Sequence, residues 1–445
     1  MSDLHFWFDP VCPFAWMTSK WVRLVAAQRD YEVDWRPISL RLLNAHVDYD
    51  SHFPPEYERG HTAGLRLLRV AARARAEHGP QSVAPLYEAY GAAIFQAPPG
   101  QDVPAMLDRG ELVPEVLAAA GLPLALHARA PQLDYLVIPN ASAAALALRR
   151  GDLDVFPQIP AADFNRFSTN PSADVRLYVS NSYDIALAGF NTRRPALADA
   201  LTRQALSRLF DTAGLLGGTQ HGSGQRTASL VPPFDRANYN DSLRPVPYDP
   251  SGARALLRRA GWQSPTVNRP GWRRAGPHGE QELRLVVRYR GGDELFATAA
   301  LQFRAAATQL GIAVELRPTE SALFVKALAD GDFDVFLRTL YGNPFAINFA
   351  PLLHSSSSSE TNSTRFSNRA CDQLIDAIAT TNDSPRRVRQ LRQLQALLQQ
   401  QAPLAPLFFL SNRVAARRDC QGLYVSSLKP GYVASTIERT AAAAR

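Results

Sequence analysis

Cys12 is the side chain best placed for nucleophilic chemistry. The alternating aromatic strand Leu4–Phe8 runs into Asp9-Pro10-Val11-Cys12-Pro13-Phe14-Ala15-Trp16, and a helical pattern follows over Met17–Gln28. A cysteine just after a strand, at the first turn of a helix, has its thiolate stabilised by unpaired N–H groups and by the helix dipole, which makes it nucleophilic. The place of a second cysteine in a C-x-x-C pattern is taken by Ala15. An internal disulfide is therefore excluded, and thiol chemistry has to run through a mixed disulfide with a small external thiol. A partly buried cysteine packed as a small hydrophobe is the competing reading.

A second group follows the apolar strand pattern Asp334–Arg338: Arg338, Tyr341 and Asn343, with Asn362 from the loop after the serine run Ser355–Ser359. Arg338 is suited to bidentate contact with a carboxylate, and Tyr341 to stacking or hydrogen bonding. The bland alternative is a solvated rim at a strand end. His46-Val47-Asp48-Tyr49-Asp50-Ser51-His52 alternates ligand-type side chains in a loop without a third strong partner, so no metal site is assigned. Cys371 lies on a helical face and reads as core, and Cys420 sits in a polar turn.

The elements that position these residues are legible from periodicity. Strand Leu4–Phe8, the helix and strand Tyr31–Pro37 make a β–α–β opening, followed from Pro54 to about Leu126 by a helical layer. The character changes around Ala128–Asp134, which places domains over 1–128 and 129–445. Farther on, Ala147–Phe156 is echoed by Ala327–Phe336, each with the hexamer Gly-Asp-x-Asp-Val-Phe. Each copy reads as a helix ended by a left-handed Gly, a polar turn and a short buried strand. The second copy belongs to a longer run: strand Leu283–Tyr289, helix Glu294–Gln309 closed by Gly311, strand Ile312–Arg317, helix Ser321–Ala329 and strand Asp334–Arg338. Such alternation implies a parallel α/β sheet, with ligands bound beyond the carboxyl ends of its strands. Two related units imply two lobes that close on a ligand by hinge motion, their strand tips converging on one crevice.

Composition narrows the function classes. With 445 residues, 46% of them hydrophobic, the chain has enough length for two or three domains, and no apolar run approaches the ~20 residues of a membrane span. The net charge of +7 is carried almost wholly by arginine, with lysine only at Lys20, Lys326 and Lys429. The Arg-rich helical stretches lack stacked aromatics, so no nucleic-acid partner is expected. Three scattered cysteines exclude a disulfide framework. The first ten residues lack a basic region and a cleavage site, which points to the cytoplasm.

Two resemblances follow from particular segments. Residues from Asp134 to Arg439 resemble the peptide/nickel/oligopeptide-type solute-binding proteins, family 5, of ABC importers. The matching segments are Tyr135–Pro139 with Ala144–Ile159, Leu187–Thr192 leading into Asp199–Leu209, and Tyr248-Asp249-Pro250 with the helix ending Ala260-Gly261-Trp262. Phe366-Ser367-Asn368 with Asp372–Ile375, and Leu394–Pro406, complete the series. The resemblance implies a periplasmic-binding-protein-like two-lobed α/β fold, capture of a peptide or other small solute, importer membrane subunits as partners, and action outside the cytoplasmic membrane; the contact candidates remain Arg338, Tyr341, Asn343 and Asn362, chosen for their place after the strand. The family's opening stretch, which supplies much of the first lobe, has no counterpart here.

In its place, residues 1 to about 126 resemble the DsbA-like thioredoxin-fold proteins, nearest to the mycothiol-dependent nitroreductases. The match rests on Phe6–Trp16, Ser39-Leu40 after the second strand, and the helical insert through Pro85-Leu86-Tyr87. It implies a partial thioredoxin-like β–α–β with Cys12 as catalytic residue and mycothiol or a similar small thiol as cofactor. The family's later strand with its cis-proline is not visible. The leading expectation is a composite chain that binds a peptide-like solute; a cytoplasmic thiol-dependent oxidoreductase is the alternative, and a composite in which neither incomplete half works is the third.

Overall fold

The computed structural model describes residues 3–29, 31–43, 55–98, 101–128, 136, 138, 140–171, 174–276, 279–342, 347–427, 431–433 and 437–439. The chain forms two compact units. One holds residues up to 139 with 419–424 and the described residues from 432 onward; the other holds 140–418 and 425–431. The division thus falls some ten residues after the boundary read from composition, and C-terminal segments group with the first unit.

The first unit opens with parallel strands β1 (Leu4–Phe8) and β2 (Val33–Pro37), in register Phe6 to Trp35 and Phe8 to Pro37. Helix Pro13–Gln28 makes the crossover, and it starts four residues before its apolar period does because Cys12 caps it and Pro13 supplies a preset φ at its first position. Phe8, Trp16, Val22, Trp35 and Tyr87 bury a mostly aromatic core, with the Phe8 and Tyr87 rings stacked at 3.9 Å. The expected helical layer follows as Pro55–His78, Val83–Phe95, Val103–Arg109, Leu112–Ala119 and Ala125–Ala128. Its own core is formed by Leu67, Val70, Ala71, Leu86, Tyr90, Val116 and Leu117.

The second unit is built on a seven-stranded sheet in the order β3-β11-β4-β10-β8-β9, with β5 on the outer side of β11. Here β3 is Val155–Pro157, β4 Val175–Phe190, β5 Gln225–Arg226, β8 Arg284–Arg290, β9 Ala313–Thr319, β10 Val335–Leu340 and β11 Leu404–Arg417; the hairpin of β6 (Arg273–Gly276) and β7 (Gly279–Glu282) stands apart. As the alternation requires, β8 is parallel to both β9 and β10. Apolar side chains face both ways. Ala186, Ala188, Phe190, Val287 and Leu337 pack into one core with helices Ala200–Ser207, Pro250–Arg259 and Glu294–Gln309. Ile185, Leu187, Phe336 and Phe409 pack into another, with Ser321–Asp330, Arg369–Thr380 and Ser384–Gln401. Covering both faces is what a largely buried sheet of this kind demands.

Strands β4 and β11 are unusually long and pair antiparallel from Val175–Arg417 at one end to Gly189–Leu404 at the other. Their two ends lie in different cores: Val175 and Ala415 join Leu148, Ile159 and Phe167, while Ile185 and Phe409 join the second core described above. Between them, β4 carries the polar run Ser180-Asn181-Ser182-Tyr183-Asp184, of which only Ser182 is fully buried. A two-stranded ribbon buried at both ends and open at its waist is the connection of a two-lobed α/β domain, so the expected fold class holds for this unit. Among the described residues, no helix is long and apolar enough to cross a membrane.

Candidate functional site

The two hexamers end their helices identically. Gly151 and Gly331 both take positive φ, and Asp152 and Asp332 donate their N–H groups to the carbonyls of Ala147 and Ala327, each at 3.0 Å. The strands that follow differ. β10 is central and begins fully buried, whereas β3 lies at the sheet edge and is only half-buried throughout, because β11 covers one side of it. The expectation of two equally buried strands is therefore corrected for the first copy.

Their relative placement carries the site. β3 pairs with Val414–Ala416 of β11, which face Arg176–Tyr178 of β4; β10 pairs with Ile185–Phe190 of β4 in the opposite sense. The two copies thus run antiparallel in one sheet with their carboxyl ends aimed at each other along the ribbon. Residues 179–184 of β4 separate them, roughly 20 Å at ~3.3 Å per residue. At this waist the pairing register of β4 and β11 shifts between Phe409 and Ser411, where β5 also pairs with Phe408 and Phe409. A cleft of about 670 Å³ opens there, lined by Asn181, Gln225, Arg226, Pro233, Phe234 and Arg236. Tyr183 meets the Phe234 ring edge-to-face at 5.0 Å, and burial followed by the Asp235 charge raises its phenol pKa.

Arg338 and Tyr341 stand at the waist-facing end of β10. Arg338 lies opposite Leu187, half-buried; burial pushes its guanidinium pKa down, against a smaller upward effect of Tyr341. No carboxylate among the described residues is within ion-pairing distance of it. Tyr341 is 53% exposed. The chain then passes close against β4: a Cβ on Gly342 would overlap the Tyr183 carbonyl oxygen, so only glycine fits. Asn343 lies outside the described residues, as does the His46–His52 stretch. Asn362 is 3% exposed, and its amide is consumed inside its own loop. Its Nδ2 donates to the carbonyls of His354 and Phe366, and its Oδ1 accepts from Thr364 Oγ1 and the Phe366 N–H. These bonds hold the loop that Asn362 belongs to. The waist residues Asn181, Tyr183, Gln225 and Phe234 were not singled out from sequence, although a polar run inside a long apolar strand was there to be read.

In the first unit, Cys12 is half-buried at the N-cap of its helix, where its Sγ accepts the Ala15 N–H at 3.4 Å. Its own N–H donates to the Asp9 carbonyl at 3.0 Å. Asp9 is 2% exposed, and its carboxylate joins two turns by accepting from Val11 at 3.1 Å and Leu40 at 2.7 Å. Burial outweighs these bonds and pushes its pKa up to about 6. Cys371 and Cys420 are both buried, and burial raises the Cys371 thiol to about 12. Among the described residues no cluster of three or more His, Cys, Asp or Glu is arranged to hold a metal.

Comparison with known proteins decides the family. Residues 127–361 match the family model of the bacterial extracellular solute-binding proteins, family 5, middle region. The chain belongs to this family. Residues 11–147 match the model of the mycothiol-dependent nitroreductase Rv2466c. Among curated relatives, the nickel-binding periplasmic protein of Escherichia coli is 25% identical over 294 residues, 64% of this chain and 54% of the relative. The dipeptide-binding protein of Escherichia coli is 24% identical over 313 residues, 67% of this chain and 54% of the relative. The chain spans about half the length of the curated relatives it matches. Among solved structures, the oligopeptide-binding protein AppA of Bacillus subtilis, bound to a nonapeptide, superposes with a TM-score of 0.59 at 20% identity, covering 68% of this chain and 60% of that one. NikA of Brucella suis with Fe(III)-EDTA gives 0.60 at 20% identity, covering 68% and 61%. The second unit of this family 5 chain therefore has the two-lobed binding-protein fold.

Proposed function

We propose that this family 5 chain binds a peptide-like solute at the waist of the β4–β11 ribbon and delivers it to the membrane subunits of an ABC importer. One observation carries the reading: Arg338, with no carboxylate among the described residues in ion-pairing distance, lies toward the carboxyl end of β10, whose tip at Leu340 meets Ile185 of β4 beside the polar waist run, although Arg338 itself does not line the cleft. A guanidinium that has lost part of its hydration and gained no counter-ion is poised to take a ligand carboxylate in bidentate fashion. Tyr341 offers a ring and a hydroxyl beside it, and Asn343 follows in sequence. Backbone groups at the register shift supply contacts that tolerate varied side chains. The test is thermal unfolding of the full chain with a mixed tri- to pentapeptide pool. Ligand bound only by the native state raises the Tm, and the absence of a shift at millimolar peptide overturns the proposal.

A second reading rests on Cys12. The half-buried sulfur at a helix N-terminus favours attack of its thiolate on a disulfide of a small thiol such as mycothiol. The new S–S bond joins Cys12 to one half, and the other half leaves as thiolate. In this reading the first unit is a partial thioredoxin-like oxidoreductase. Faster alkylation of Cys12 at pH 7 than of Cys371 or Cys420 supports it; equal or slower labelling returns Cys12 to a packing role.

A further inference from the structure

A second cavity, of about 370 Å³, lies between helix Ala200–Ser207, helix Ser384–Gln401 and the loops around residues 227–230 and 244–247. It shares no lining residue with the waist cleft. Its position follows from the sheet. Among the described residues, β5 pairs with β11 at Phe408 and Phe409 and β3 at Val414–Ala416, so the first residues of β11, Leu404–Pro406, have no described strand on that side. The edge is blunted by Pro403 and Pro406 and roofed by helix and loop, which leaves a recess along it. The wall carries Leu230, Val246, Leu398 and Leu404 together with four glutamines, Ser207, Thr227 and Ser229, and its two charged side chains are Arg208 and Arg244, with no carboxylate in the lining. Arg208 pairs through Nη1 with Asp249 Oδ2 at 3.0 Å, outside the lining. Arg244 is exposed and donates from Nη1 to the backbone carbonyls of Asp241 and Leu243; no carboxylate among the described residues pairs with it.

We propose that this cavity is a binding site for a small aliphatic monocarboxylate, its chain along the β11 edge and its carboxylate at Arg244 and Arg208. The volume, a few hundred Å³, is that of a small-ligand site, and the lining combines apolar side chains for a chain with cations for a carboxylate. Neither charge alone nor chain alone satisfies it. The site is independent of the waist, so it stands or falls separately from the peptide reading.

The test is calorimetric titration of the full chain with octanoate, with acetate supplying the charge alone and 1-octanol the chain alone. One octanoate per chain is expected, at least tenfold tighter than either control. Arg244→Glu, a change at an exposed position, is expected to weaken octanoate at least tenfold with Tm unchanged, and Arg338→Ala to leave it as it was. No octanoate binding up to millimolar concentration overturns the proposal. So does binding that survives Arg244→Glu, or that disappears with Arg338→Ala, since either places the ligand elsewhere.

Discussion

The Gly342 N–H donates to Asp184 Oδ1 at 3.2 Å, tying the chain that leaves β10 to the waist of β4. This bond and the close approach of Gly342 to the Tyr183 carbonyl hold the strand end and the ribbon in one arrangement. Gly342→Ala forces a Cβ into that carbonyl. The expected cost is about 1–3 kcal/mol of unfolding free energy in urea, with a reduced peptide-induced Tm shift because the backbone next to Tyr341 must move.

Arg338→Ala separates binding from stability. Removing a desolvated cation that pairs with no described carboxylate relieves a cost in the free protein, so the ligand-free Tm should stay level or rise while the peptide-induced shift is lost. Arg338→Lys keeps the charge without the bidentate fork and should restore little of the shift. A ligand-free Tm that falls by several degrees in Arg338→Ala would mean that the guanidinium supports the fold.

Asp9 makes the first unit sensitive to acid in the unusual direction. Its folded pKa of about 6 lies above the ordinary 3.8, so the folded state holds the proton more tightly than the unfolded one. The resulting stabilisation is full below pH ~4 and is lost as pH rises through about 6. Two pKa units correspond to about 3 kcal/mol. Hydrogen exchange of helix Pro13–Gln28, corrected for intrinsic rates, should show greater protection at pH 4.5 than at pH 7.5. Asp9→Asn should abolish the difference while weakening one of the two turn bonds.

Arg203 tests a buried cation whose hydrogen bonds all go to backbone carbonyls. It is fully buried, its pKa is pushed down to about 10 by burial, and it donates to the carbonyls of Leu197, Ala198, Gln401 and Ala402. Arg203→Ala leaves those carbonyls, including the end of helix Ser384–Gln401, without a donor. A loss of about 3 kcal/mol or more is expected in urea unfolding, and a loss below 1 kcal/mol would show that water replaces the guanidinium.

What could be read along the chain was local. Asp293 caps the helix that spans Glu294–Gln309, as its period predicted, and Gly311 at φ 81° closes it. Asp249-Pro250 starts and Gly261 ends the helix between them in the same way. Cys12 at its cap was visible because the signal is three adjacent residues. At Asn362 the residue type suits a rim contact as well as a loop scaffold, and the bonds its amide makes inside the loop are set only by the folded chain.

The sequence by itself determined the alternation of strands and helices, the helix caps, the parallel direction of β8, β9 and β10, and the recurrence of one hexamer. Tertiary structure alone decided how the two hexamers face each other. That arrangement depends on β4 pairing with β11, whose partners lie more than two hundred residues apart in the chain. Strand pairing at such separation is set by the burial of whole faces and by closure of long loops, quantities that no local run of residues contains.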